Sequence, residues 1–188
     1  MPSDVEIVNA ALVKIGEQAI LSFADPSEPA RLATRTFAEL RDALLREAPW
    51  NFASKRAELA AEVTAPVWGF ALSYPLPTDF LRLIEINNPG RYPFRIEQNR
   101  IITDLASPIQ IRYVHRVTDA DSMEAAFRDA LAARLALEWA ERLTGTTTIV
   151  QQLAMIYKRS LAVALAIDGQ EDDQRQLDPE PSFITSRF

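Results

Sequence analysis

The chain predicts an α+β fold: a bundle of about four helices, an inserted small antiparallel β region and an extended C-terminal tail. Three observations carry this. Helix-start signals stand at Ser3, Asp25 and Asp121, each followed three residues on by a glutamate. Between residues 49 and 118 the helical spacing gives way to short β-branched runs, and the prolines concentrate there and in the tail. Beyond Gly169 the chain turns polar and acidic. The expected organisation is N-terminal bundle helices over 1–48, a β-rich insertion over 49–118, C-terminal bundle helices over 119–169 and the tail over 170–188.

The first helix begins at Ser3-Asp4-Val5-Glu6, with Ser3 as N-cap and Glu6 closing a capping box. Val5, Val8, Leu12 and Ile15 recur on one face, and Gly16 ends the helix through its tolerance of positive φ. The second helix is expected to start at Asp25-Pro26-Ser27-Glu28, Asp25 capping and Pro26 at the first helical position. Ala33, Phe37, Leu40 and Leu44 form its buried stripe. Arg31, Arg35, Glu39, Arg41, Asp42 and Arg46 are placed on the surface, and Pro49 stops the helix.

In the insertion, runs at 91–97, 100–104 and 108–117 read as strands, with Gln98-Asn99 as a turn. Ile109, Ile111, Tyr113 and Val117 against Gln110, Arg112 and Arg116 give one dry and one wet face, hence an antiparallel sheet. Thr78 to Ile86 is expected to make one helical turn before returning to strand. A third helix restarts at Asp121-Ser122-Met123-Glu124 and buries Phe127, Leu131, Leu135 and Trp139 before Gly145. The fourth places Ile149, Leu153, Ile156 and Val163 on one face, with Tyr157 and Leu161 beside it.

With 188 residues, 48 % hydrophobic and 24 % charged, the chain supports one well-buried core with a small inserted subdomain. No cysteine is present, so thiolate nucleophiles and zinc–thiolate sites are excluded. No basic, apolar leader stands at Met1-Pro2-Ser3-Asp4, and no stretch reaches the roughly 18 apolar residues of a membrane span, so synthesis and folding in the cytoplasm are expected. A formal net charge of −6 argues against gripping nucleic acid through a general positive field.

Chemistry-bearing patterns are scarce. The single histidine, His115, sits in a strand and reads as a half-buried side chain. Glu171, Asp172 and Asp173 read as solvated tail, and no phosphate loop, nucleophile elbow or dinucleotide fingerprint occurs. No catalytic residue, cofactor or metal is expected. Arg91, Arg95, Arg100, Arg112 and Arg116 make the insertion its most basic stretch and read as polar strand faces and ion pairs between subunits. Trp50, Phe52, Trp68, Phe70, Tyr74 and Phe80 read as the core joining helices to sheet.

Two ordered motifs in this stretch resemble the head-to-tail adaptor proteins of tailed bacteriophages, the tail tubular protein A-like group. After a first helix ending in Ile15-Gly16, the chain carries Trp50, Phe52, Ala53, Arg56 and Ala57 in a Trp-x-Phe-Ala-x-x-Arg-Ala pattern. It then carries Tyr74, Leu76, Pro77, Asp79, Leu81 and Arg82 in a Tyr-x-Leu-Pro-x-Asp-x-Leu-Arg pattern, before two closing helices. The similarity spans most of 5–168, and the tail beyond Gly169 has no counterpart. These motif residues are expected to build the junction between bundle and insertion.

The resemblance implies a structural virion protein and no enzyme: a homo-oligomeric ring, generally of twelve subunits, beneath a portal protein at the head–tail junction. Such a ring extends the DNA channel and gives a tail, nozzle or tail-terminator protein its platform. Double-stranded DNA passes through its lumen without sequence-specific binding, and no membrane is involved. The protein would be made in the host bacterial cytoplasm. Phe183, Ile184 and Phe188, with Arg187 among them, are expected to order on docking against the portal or a neighbouring subunit. The alternatives are a non-viral helical scaffold or interaction module acting as monomer or dimer, and an enzyme working through carboxylates.

Overall fold

The computed structural model describes residues 2–88 and 92–171. In chain order these form α1 (Asp4–Ile15), α2 (Glu28–Glu47), β1 (Ser54–Leu59), β2 (Leu72–Pro75), β3 (Phe80–Ile86), β4 (Phe94–Glu97), β5 (Arg100–Thr103), β6 (Ile109–His115), α3 (Ala125–Thr144) and α4 (Thr148–Glu171). The expected α+β class is the observed one.

Local signals set α1 at both ends. The Ser3 hydroxyl accepts from the Glu6 amide at 3.2 Å, the Glu6 carboxylate accepts from the Ser3 amide at 3.1 Å, and Gly16 closes the helix at φ 79°. The start of α2 differs from expectation by two residues. Ser27 is the N-cap and Pro29 stands in the first turn. Asp25 instead folds the preceding loop, accepting from the amides of Leu21 (2.6 Å) and Ser22 (3.3 Å). A short acidic side chain offers the backbone this local alternative to a helix cap.

At the start of α3, Asp119 rather than Asp121 caps a 3-10 turn over Ala120–Ser122, and α3 follows without a side-chain cap. Its expected stripe of Phe127, Leu131, Leu135 and Trp139 is wholly buried. α3 is the central helix, packing against α1, α2 and α4. Trp139 donates to the Thr36 hydroxyl at 2.9 Å, which satisfies the one polar atom that its burial would otherwise strand.

Two three-stranded antiparallel sheets fill 54–115, ordered β1-β6-β3 and β2-β5-β4. Gln98 and Asn99, at φ 47° and 61°, make the expected two-residue turn between β4 and β5. Thr78 to Ile86 holds only a tight turn, Phe80 amide to Pro77 carbonyl at 3.1 Å, and β3 begins there without a helical turn. Bulges after Phe80 and Leu83 let β3 send Leu81 and Ile84 toward the helices and Phe80, Leu83 and Ile86 toward the second sheet.

There are consequently two cores. The larger lies among the helices around Trp50, Phe127, Leu131 and Trp139, and takes Leu81 and Val114 from the first sheet. The smaller lies between the sheets, from Leu59, Tyr74, Leu76, Ile101, Ile109, Ile111 and Tyr113. The predicted dry face of Ile109, Ile111, Tyr113 and Val117 is buried and the predicted wet residues Gln110, Arg112 and Arg116 reach solvent, but Val114, on the wet side between them, is covered by helices.

Candidate functional site: the helix–sheet junction

From α2 the chain enters the first sheet through a knot of short-range bonds. The Ala53 amide donates to Trp50 O and the Ser54 amide to Asn51 O, both at 3.1 Å, and the Ser54 hydroxyl to Trp50 O at 2.9 Å. This reversal drives the Trp50 ring into the helical core, where it is fully buried and meets Phe127 edge-on at 5.1 Å. Its indole N–H donates to Leu44 O at 3.1 Å, one of the carbonyls that the end of α2 leaves without a helical partner. Phe52 packs beside it, 5.0 Å from Phe127.

The second motif closes the junction from β3. Arg82 donates to Arg46 O and Glu47 O, both at 3.0 Å, while Arg46 donates to Leu81 O. Arg82 thus places a positive charge on the carboxyl end of α2, where orphan carbonyls and the helix dipole both favour it. Leu76 and Leu81 are buried in the two different cores, Tyr74 donates its hydroxyl to Leu105 O at 2.5 Å, and Pro77 starts the turn into β3.

Asp79 is the polar centre of this turn. Its carboxylate accepts from Lys55 Nζ at 2.8 Å and from the Tyr113 hydroxyl at 3.0 Å. Burial opposes its ionisation, yet those two bonds outweigh it and hold the carboxyl below its ordinary value. The same bond raises Lys55. Burial, and then the negative Asp79, push the Tyr113 hydroxyl up.

Arg56 departs from expectation. It lies exposed on β1, opposite Arg112 of β6, and takes no part in the buried junction. The aromatic group expected there divides likewise. Trp50 and Phe52 serve the helical core, Tyr74 and Phe80 the inter-sheet core, and Trp68 is 81 % exposed. Three of the insertion's arginines are engaged within the chain, Arg100 with Glu62 (2.8 Å), Arg112 with Glu85 (3.0 Å) and Arg116 with Asp42 (2.6 Å). Arg91 lies outside the described residues. His115 donates from Nδ1 to Ala53 O at 2.8 Å, a bond that holds the start of β1.

Two polar ties escape sequence reasoning. Asp168, 7 % exposed, accepts the Asn51 amide while its own carbonyl accepts the Asn51 side chain, both at 2.8 Å. Tyr157 donates to Glu47 at 3.0 Å, and Arg134 stacks over the Tyr157 ring at 5.3 Å. These anchors turn α4 so that Leu153, Tyr157, Ala164 and Asp168 face inward, leaving Val163, expected inside, half exposed. Apolar periodicity otherwise held, since Leu153 and Tyr157 are buried and Ile149, Ile156 and Leu161 pack against the helical core. α4 also runs through Gly169 to Glu171, two residues beyond the expected boundary. Arg41, expected on the surface, is 6 % exposed and donates through two nitrogens to Asp42.

Among the described residues no group of three or more acidic or histidine side chains is placed to hold a metal ion, and no helix is long and apolar enough to cross a membrane. Phe183, Ile184, Arg187 and Phe188 lie outside the described residues. The arrangement at 50–82 is suited to fixing the angle between a helical body and a sheet body; its charged groups are spent on helix ends and a turn. A scan against protein-family models finds no match for the chain, and a search of curated proteins finds none either.

Proposed function

We propose that this chain is a structural head-to-tail adaptor of a tailed bacteriophage, forming a ring beneath the portal, continuing the DNA channel and offering the tail its platform. The observation that carries the reading is apolar surface left outside both cores. On the helical body, α4 exposes Met155, Val163, Leu165 and Ile167; on the sheet body, Val63, Val67 and Trp68 stand in water on one loop. Exposed apolar groups concentrated on two bodies fit a chain with two sets of protein partners. Copies repeating one head-to-tail contact close into a ring when the rotation permits. The junction keeps the two surfaces at a fixed relation, as a platform between two machines requires. A net charge of −6 suits a conduit that DNA passes without counterion-releasing capture.

Negative-stain microscopy of the full chain, alone and mixed with the portal protein of the same virus, tests the reading. Ring particles with a central hole, alone or capping the portal, are the expected result. A chain that forms no ring and binds no portal overturns it. Deleting residues 179–188 is expected to leave a folded chain that no longer attaches; unchanged attachment removes the docking role of Phe183, Ile184, Arg187 and Phe188.

A further inference from the structure

β4 is the terminal strand of its sheet, and all four of its residues are exposed. Phe94 and Ile96 are still 43 % and 44 % exposed although they stand opposite the buried Thr103 and Ile101. Their side chains therefore share the face that holds the inter-sheet core, and that core is open along this side. The backbone is open as well. Glu97 and Arg100 flank the two-residue turn and form the hydrogen-bonded pair, so Phe94 and Ile96 point their N–H and C=O groups away from β5. Neither proline nor a bulge interrupts β4, and its charges, Arg95 and Glu97, have opposite signs.

We propose that in the free protein β4 pairs antiparallel with β4 of a second copy, joining two sheets into one of six strands across a two-fold axis. The sequence Arg95-Ile96-Glu97 reads as its own complement in this arrangement. With Ile96 opposite Ile96 of the second copy, each Arg95 faces a Glu97 and each Glu97 an Arg95. A shift that sets Arg95 opposite Arg95 opposes like charges, so charge selects the first register. Within one chain Arg95 and Glu97 approach only to 4.0 Å and are 68 % and 55 % exposed, so both stay available to the second copy. The loop carrying Val63, Val67 and Trp68 borders a groove of ≈ 910 Å³ on the Arg95/Glu97 face. Each copy's loop thereby adds apolar contact to a four-residue ladder too small to hold a dimer alone.

The pairing stands independently of the adaptor reading. If both hold, the dimer covers the sheet-body surface until ring assembly needs it.

The test is sedimentation of the full chain across concentration, with four versions. The parent is expected to show a reversible monomer–dimer equilibrium. Arg95→Glu and Glu97→Arg each set like charges opposite one another twice, and each should weaken dimerisation about tenfold or more. The double exchange Arg95→Glu with Glu97→Arg restores both opposite-charge pairs and should restore dimerisation. At a concentration low enough to keep every version monomeric, all four should melt alike, since both side chains are exposed. A parent that stays monomeric overturns the proposal, as do single variants that dimerise like the parent or a double variant no better than the singles. Scoring ring formation on portals with the same four versions separates failure of this pairing from failure of the adaptor reading.

Discussion

Trp50 carries two separable contributions, a fully buried ring and one hydrogen bond to the end of α2. Trp50→Ala removes both and should cost about 3–5 kcal/mol in chemical denaturation. Trp50→Phe keeps most of the volume but leaves Leu44 O unpaired, and should cost about 1–3 kcal/mol. Equal losses for the two would show that the bond, not the packing, dominates. Asp79 makes a prediction in pH. The folded state holds its carboxyl below the ordinary 3.8, so its contribution to stability is full above that value. It is lost as pH falls through the folded-state value, where protonation removes the acceptor for Lys55 and Tyr113. The stability difference between parent and Asp79→Asn should be constant above about pH 5 and shrink toward acid. A difference that grows on acidification would contradict the hydrogen-bond assignment.

Elements differ in how far their sequences announce them. α1 could be read whole, because its cap box, apolar stripe and terminal glycine are local signals that agree. The Gln98-Asn99 hairpin was legible for the same reason. β1 was not: Ser54-Lys55-Arg56-Ala57-Glu58-Leu59 has no β-branched residue, and it becomes a strand only because β6 offers it a partner. β2, ending in Pro75, is equally dependent on β5. The junction's motif residues were legible as a set, but their roles were not. Arg56 and Arg82 look alike in sequence, and only the fold puts one in solvent and the other on the end of α2. The inward face of α4 was legible at Ile149, Leu153, Ile156, Tyr157 and Leu161, but not at its end, where Asp168 turns inward to Asn51 and Val163 stays half exposed. Each of the two bonds between Asn51 and Asp168 joins a side chain to a backbone group, so Asn51→Ala removes only the bond to Asp168 O and Asp168→Ala only the bond from the Asn51 amide. Each should cost about 1–3 kcal/mol by denaturant unfolding. Losses near zero in both variants would mean that α4 is held by its apolar contacts alone.

At the scale of the molecule, the first sheet is shared property. β6 gives Val114 to the helical core and Ile109, Ile111 and Tyr113 to the inter-sheet core, and β3 divides Leu81 and Leu83 in the same way. Neither core can dissolve without exposing one face of strands that the other core needs, so the two should unfold together. Ile111→Ala in the smaller core and Leu131→Ala in the larger should each cost about 2–5 kcal/mol and shift one common transition. Far-ultraviolet dichroism, which follows mainly the helices, and the ring resonances of Tyr74 and Tyr113, which follow the smaller core, should report coincident midpoints in both variants. The β4–β5 hairpin is the exception, for it meets the rest of the fold through β2 and one half-open face. Its amides at Arg95 and Glu97, which are bonded to β5, should exchange with solvent well before those of β6, by local opening that leaves the cores intact. Two separated transitions in Ile111→Ala would show instead that the sheet body folds by itself, and that the junction links two independent units without making them one.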